Sequence, residues 1–347
     1  MKAVRAFIVL SILIIAFACA YRPAQIKGAD VVTKSAILMG TIVEIKAPLS
    51  GDLTRQAAEQ AIAKALNEVR RVENLFSVYD EESEIAKINR LKEGEPLKIS
   101  SEVSGLIEKA IGFCNVTNGA FDITVKPLVD LWAEAKKTGT VPSKEAVREA
   151  VEKTGYRDII IDNEAGTIAF ARDGMALDLG GVAKGYAVDR AVSELRSNGV
   201  GNAIVNCGGD MYCLGRRSDA DRWKVGIRHP RDKDDIILEL NLENRAVDTS
   251  GDYEKYFMAG GKRYSHIIDP RTGYPVGGDI VSASVMADDS ATSDAFATAM
   301  CVLGRDGLNV INTIGGLDAI IVTEQNGRPK IEMSDGIKER YHVTEVR

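Results

Sequence analysis

Apolar residues recur at Ala58, Ile62, Ala65, Val69, Val72 and Phe76, alternately four and three apart, a spacing that predicts an amphipathic helix over residues 54–76 with its stripe in the core. Similar spacing between capping residues predicts a short helix over 83–89 and a longer one over 101–116, stopped by Asn118-Gly119. Pro142-Ser143 opens another helix, closed at Gly155. Alternating patterns predict an edge strand from Val31 to Ile45, bent at Gly40, and strands over 159–161, 167–170, 203–206 and 223–227. Because Pro127 cannot occupy an ordinary helix interior, residues 120–132 read as a loop that packs its apolar side chains and leaves Asp122 needing a polar partner. No internal repeat interrupts this order, which excludes a solenoid.

The densest stretch covers residues 176–189. It reads as a short apolar strand over 176–179, the glycine pair Gly180-Gly181, and a helix in which Ala191, Val192 and Leu195 keep the helical spacing. Glycines let a ligand approach the main chain, and the free N–H groups of a first helical turn favour an anion such as phosphate. Asp178 and Lys184 bring an acceptor and a cation to the same corner. Tight packing alone would also explain a glycine pair at a helix start. A second dense region contains Thr249-Ser250-Gly251 and, further on, His266-Ile267-Ile268-Asp269-Pro270. Of the three histidines only His266 sits among hydroxyls, a carboxylate and turn residues, which makes it the best candidate for proton transfer or phosphate contact. Asp294 and Thr298 stand four apart near the start of a predicted helix, so both share one face. They suit either a hard cation such as Mg²⁺ or helix capping beside a buried threonine. Tyr79 reads equally as a core tyrosine or as a flat surface for an aromatic ligand.

Composition changes little within the chain but much at its start. The 347 residues carry a net charge of −6 and no basic run, which argues against a nucleic-acid surface. Lys2 and Arg5 precede an apolar run over residues 6–17, too short for a comfortable membrane span, so residues 1–18 read as an export signal followed by a polar linker over 19–30. Ala16-Phe17-Ala18-Cys19 is similar to a bacterial lipobox, in which Cys19 is lipidated and becomes the mature N-terminus; simple cleavage and an uncleaved anchor are the other readings. The remaining cysteines, Cys114, Cys207, Cys213 and Cys301, lie in apolar or strand-like settings without metal-ligand spacing, and free buried thiols are preferred over two disulfides.

In this order the motifs closely resemble the ApbE family of FAD:protein FMN transferases. The matching residues are Met39-Gly40-Thr41, Phe76-Ser77-Val78-Tyr79 with Ser83-Glu84-Ile85, Gly119-Ala120-Phe121-Asp122 through Leu128, Asp178 through Gly185, Thr249-Ser250-Gly251, His266 through Pro270 with Thr272-Gly273, and Asp294 with Thr298. The resemblance implies an α+β fold of mixed, largely antiparallel sheets flanked by helices, occupying residues 31–347, with a ligand cleft between two subdomains. It implies cleavage of FAD and attachment of FMN by a phosphodiester bond to a threonine of an acceptor protein, with AMP leaving. By the same resemblance Met39, Tyr79, Ala120, Phe121, Asp122, Asp178, Lys184 and Ile268 line the FAD site, and Gly181, Asp294 and Thr298 bind Mg²⁺. Some members carry a further acidic residue where this chain has Ala297. His266 is expected to act as general base, or as a covalent relay that first accepts the FMN group, with Asp269 nearby in sequence. The expected acceptor is an exported protein of a membrane redox complex bearing a Ser/Gly-Ala-Thr-type motif, on the periplasmic side of a bacterial membrane. Two other readings are an FAD pyrophosphatase, in which water replaces the threonine, and a flavin-binding lipoprotein without catalysis. Tyr79 favours transfer over hydrolysis, since hydrolytic relatives can carry Asn at that place.

Overall fold

The computed structural model describes residues 30–346 apart from 233, 254, 279, 326 and 327, so the leader and the expected lipidation site at Cys19 lie outside the described residues. In chain order β1 (Val31–Leu38) and β2 (Thr41–Pro48) precede α1 (Arg55–Phe76), α2 (Glu84–Ile88), β3 (Leu97–Lys98), α3 (Ser101–Val116), α4 (Lys126–Thr138) and α5 (Lys144–Glu152). Next come β4 (Ile159–Asp162), β5 (Thr167–Phe170), α6 (Ala183–Ser197), β6 (Ala203–Cys207), β7 (Asp210–Leu214), β8 (Trp223–Arg228), β9 (Ile236–Leu242) and β10 (Arg245–Gly251). The chain continues through β11 (Tyr256–Ala259), β12 (Lys262–Ser265), β13 (Ile280–Ala287), α7 (Ser290–Leu303), α8 (Gly307–Thr313), β14 (Asp318–Gln325), β15 (Arg328–Met333), α9 (Ile337–Tyr341) and β16 (Thr344–Glu345).

The main sheet runs β1-β2-β6-β7-β10-β13-β14-β15 with every neighbouring pair antiparallel. Smaller sheets, β8-β9-β16, β3-β5-β4 and the hairpin β11-β12, complete the α+β architecture among the described residues. Strand alternation decides what each face covers. Val205 and Ala246 pack in the core shared with α1, α3 and α6, and Val285 and Ile321 pack beneath α7. Their neighbours Ile204, Val247, Met286 and Ile320 point the other way, into a second core with Trp223, Leu238 and Leu240 of the β8-β9 sheet. Helix starts follow the expected chemistry: the hydroxyls of Thr54, Ser83, Ser100 and Ser143 each accept a first-turn N–H.

Three local expectations differ from the structure. The edge strand bent at Gly40 is instead the hairpin β1-β2. Leu38 pairs with Thr41, and Met39 (φ 55°) and Gly40 (φ 68°) form the positive-φ two-residue turn that fits strand twist. Residues 120–132 are not all loop, because α4 begins at Lys126 and Pro127 lies in its first turn, where the missing N–H has no partner to lose. Residues 176–179 are extended but pair with no strand. The Asn89 side chain takes the place of a neighbouring strand, accepting from Leu177 N at 2.6 Å and donating to Leu177 O at 2.9 Å, while Asp178 N bonds Ile123 O at 2.8 Å. Replacing Asn89 with alanine strands both main-chain groups of fully buried Leu177 and is expected to cost about 1–3 kcal/mol, read as a lower urea midpoint. The four cysteines expected to be free are free and buried.

Candidate active site

The site is assembled where α6 and α7 cross over one face of the main sheet. A β-carbon at position 185 would lie 2.2 Å from Ser290 O, so only glycine lets the two helix starts approach this closely. Gly185→Ala is expected to force them apart, destabilising the protein by about 1–3 kcal/mol and cutting activity more than that loss explains; thermal melting and turnover measured together check it. The close crossing lets Gly185 N donate to Asp294 Oδ2 at 3.1 Å. Two carboxylates on α6 and β10 seat the start of α7. Asp189 accepts Ser290 N at 2.7 Å and Ala291 N at 2.9 Å, and Asp248 accepts the Ser290 and Ser293 hydroxyls.

Lys184, on the first turn of α6, pairs with the buried carboxylate of Asp210 and lies 3.6 Å from Asp294 Oδ1. One turn beyond Asp294, Thr298 Oγ1 is 3.3 Å from Ser250 Oγ of β10. Gly181 closes the group: a β-carbon there would sit 3.3 Å from Thr298 Oγ1 and 3.1 Å from the Phe121 ring. The structure therefore brings together Lys184, Gly181, Asp294, Thr298 and Phe121. Ala120 is buried immediately before Phe121. Asp178 accepts Gly180 N at 2.7 Å, bending the chain into the glycine pair, and burial raises its carboxyl pKa.

Met39 stands at the tip of the β1-β2 hairpin. Its N–H donates to Glu73 of α1 at 2.7 Å, and the hairpin tip meets the β6-β7 turn, where Gly208 N bonds Ile42 O at 3.1 Å, two residues before Asp210. Tyr79 stands on the turn after α1 with 93% of its surface exposed, so it is not a core tyrosine and offers an open ring face. The Asp122 carboxylate is occupied by Thr124 N and Oγ1 at 2.8 and 2.6 Å and by Tyr156 N at 3.1 Å, satisfying the partner its burial requires. The Ile268 side chain packs with Leu128 and Trp132.

His266 directly follows β12 of the small hairpin. Its Nδ1 and main-chain N–H both meet Lys255 O at 3.0 Å, so the residue directly across the open end of the hairpin holds the ring. Its ring edge is open to solvent, yet surrounding protein, then Lys255, Lys184 and Lys136, lower its pKa from 6.5 to about 4. Asp269 is not its partner: that carboxylate binds Arg271 through N, Nε and Nη2 at 3.0, 2.8 and 2.9 Å. The carbonyl, not an acid, therefore orients the imidazole.

Asp210 and Asp248 also belong to the site. The sequence carries a signal for both: a carboxylate follows the Gly208-Gly209 turn, and another occupies the inward-facing parity of β10, two residues after core Ala246.

A lysine and a carboxylate-bonded amide at a glycine-opened helix start, beside hydroxyl, carboxylate and carbonyl oxygens, define a protein equipped to hold a phosphate-bearing ligand. The particular family follows from comparison. The sequence matches the ApbE family over residues 39–321, and the chain belongs to that family. It is 33% identical to an FAD:protein FMN transferase of Klebsiella pneumoniae over 84% of this chain and 88% of that one. It is 30% identical to an FAD:protein FMN transferase of Treponema pallidum over 91% and 90%. The crystal structure of the ApbE protein of Thermotoga maritima superposes with a TM-score of 0.79 at 36% identity, covering 89% of this chain and 99% of that one.

Proposed function

We propose that this chain is an FAD:protein FMN transferase, with residues 31–347 as its transferase domain. The observation that carries this reading is the convergence of Lys184, Asp294, Thr298 and Gly181 at the α6-α7 crossing. The acceptor threonine attacks the FMN-side phosphorus of FAD. Its oxygen forms the new phosphodiester bond as the pyrophosphate bond breaks, and AMP leaves with the bridging oxygen. His266, neutral at physiological pH, takes the hydroxyl proton. Lys184 faces the charge that builds on the departing phosphate, and the open ring of Tyr79 lies against the isoalloxazine.

The oxygens at this corner also fit Mg²⁺, which prefers hard donors and keeps part of its shell for phosphate and water. Thr298 Oγ1 borders the space that a β-carbon on residue 181 would fill, and Asp294, Thr298 and the Gly181 carbonyl are the groups that would hold the ion. When bound there, the ion neutralises negative charge on the pyrophosphate. Ala297, where some members carry an acid, adds no further oxygen.

The leader and Cys19 support an exported chain held by a lipid anchor on the periplasmic side, and hence an exported acceptor of a membrane redox complex with a Ser/Gly-Ala-Thr-type motif. This chain's own Ser290-Ala291-Thr292 reads as a helix start: Thr292 Oγ1 bonds the helix-capping Asp289 at 2.8 Å. Release of AMP from FAD, followed with and without a candidate acceptor domain, tests the proposal. AMP that depends on the acceptor supports transfer. Equal FMN and AMP without it support the pyrophosphatase, and tight FAD retention without AMP supports a binding protein.

A further inference from the structure

Asp248 has no part in the chemistry above, yet it is the most completely enclosed carboxylate beside it. It is fully buried on the helix-facing side of β10, the parity of Ala246, among fully buried Ser290 and Ser293. It accepts the Ser290 hydroxyl at 3.0 and 2.8 Å through its two oxygens, the Ser293 hydroxyl through Oδ2, and Met211 N of β7 at 2.8 Å. Each contact joins an element that carries a site residue. Ser290 and Ser293 form the first turn of α7, immediately before Asp294. Met211 follows Asp210, the partner of Lys184. The close crossing at Gly185 then ties α6 to the same turn through Gly185 N and Asp294.

Helix capping does not account for this arrangement. Asp289 already caps α7 by accepting Thr292 N at 2.8 Å, and Asp189 takes Ser290 N and Ala291 N. Asp248 instead grips two side chains three residues apart on one face, which fixes the rotation of α7 about its axis. Rotation decides whether Thr298 faces Gly181 and Asp294 faces Lys184 and Gly185 N.

The geometry points to Asp248 as a positioning residue that sets the rotation of α7 against β7, so that Asp294 and Thr298 present their oxygens to one divalent cation at Gly181. This inference rests on the cation site of the proposed function. Residues that orient metal ligands without touching the metal commonly control affinity by about 10–100-fold. The Asp248→Ala protein and a Ser290→Ala/Ser293→Ala protein are therefore expected to bind Mg²⁺ at least about tenfold more weakly than the parent. Asp248→Asn, which keeps the shape and can still accept from Met211 N while the serine hydroxyls reverse their roles, restores most of the affinity.

The experiment is calorimetric titration of each folded full-length mature protein with Mg²⁺ in the absence of FAD, at a temperature well below its own melting transition. A merely structural role lowers melting temperature without changing this affinity. The inference expects the serine changes to add little when combined with Asp248→Ala, because both act through one contact. Unchanged Mg²⁺ affinity in folded Asp248→Ala overturns it, as does a fully additive loss in the combined variant. Should Asp248→Ala not fold, the serine pair decides: weakened binding supports the inference and parental binding overturns it. If the parent protein itself binds no Mg²⁺, the assignment of Asp294, Thr298 and Gly181 fails first, a result distinct from parental binding that Asp248 does not influence.

Discussion

His266→Ala is expected to lower FMN transfer by about 10²–10⁴-fold while FAD binding stays close to that of the parent. The ring is held through Nδ1 by a main-chain carbonyl, so its loss removes a proton acceptor without stranding a buried charge. The pH profile separates this role from a structural one. Surrounding protein and three lysines lower the pKa from 6.5 to about 4, so the neutral, proton-accepting form dominates above about pH 5 in the free enzyme. The acid limb of kcat/KM due to this group therefore falls near pH 4. Bound pyrophosphate offsets the same lysines and raises the pKa in the complex, so the limb of kcat lies at higher pH and nearer the range where a base is most effective. Stability carries the matching sign. Between pH 6.5 and about 4 the unfolded chain gains a proton that the native ring does not, so His266 lowers stability as pH falls through that window. Rate profiles of the parent against His266→Ala, with urea midpoints at pH 7 and 5, check both statements.

Lys184→Ala is expected to cost about 10²–10³-fold in turnover, the loss typical of removing one group aimed at charge that develops during reaction. Its amine bridges two buried carboxylates, Asp210 and Asp294, so the single change also leaves acids without their cation. Because the Lys184 side chain is 34% exposed, the cost falls below the about 3–5 kcal/mol of breaking a fully buried pair from one side. Combining Lys184→Ala with Asp210→Asn relieves part of that cost. Recovery of the melting temperature without recovery of turnover assigns Lys184 to the chemistry; recovery of both assigns it to folding alone. Asp294→Asn, tested beside it, is expected to lower Mg²⁺ affinity, whereas Lys184→Ala is not.

The helices are legible because their stripes and caps are local: α1, α3 and α5 begin and end close to where Thr54, Ser101, Ser143 and the downstream stops place them. Pairing was less legible. Nothing in the alternation of residues 31–45 distinguishes a bent strand from a hairpin, because the decision rests on Met39 accepting a positive φ. The extended stretch at 176–179 looks like a strand by composition but is held by a side chain 88 positions away, a partner that no local pattern reveals. The site shows the same division. Lys184, Asp294 and Thr298 stand out by type and spacing, while Asp210 and Asp248 carry only a turn and a strand-parity signal until β7 and β10 bring them under α6 and α7. Asp269 shows the converse, being near His266 in sequence but committed to Arg271 in space.

The most direct test of the transferase reading is the intact mass of an acceptor domain bearing a Ser/Gly-Ala-Thr-type motif after incubation with the mature protein, FAD and Mg²⁺. The expected result is a gain of one FMN, mapped by peptide fragmentation to the motif threonine, matched by one AMP and lost when that threonine is replaced by alanine. An unmodified acceptor alongside free FMN and AMP would contradict it.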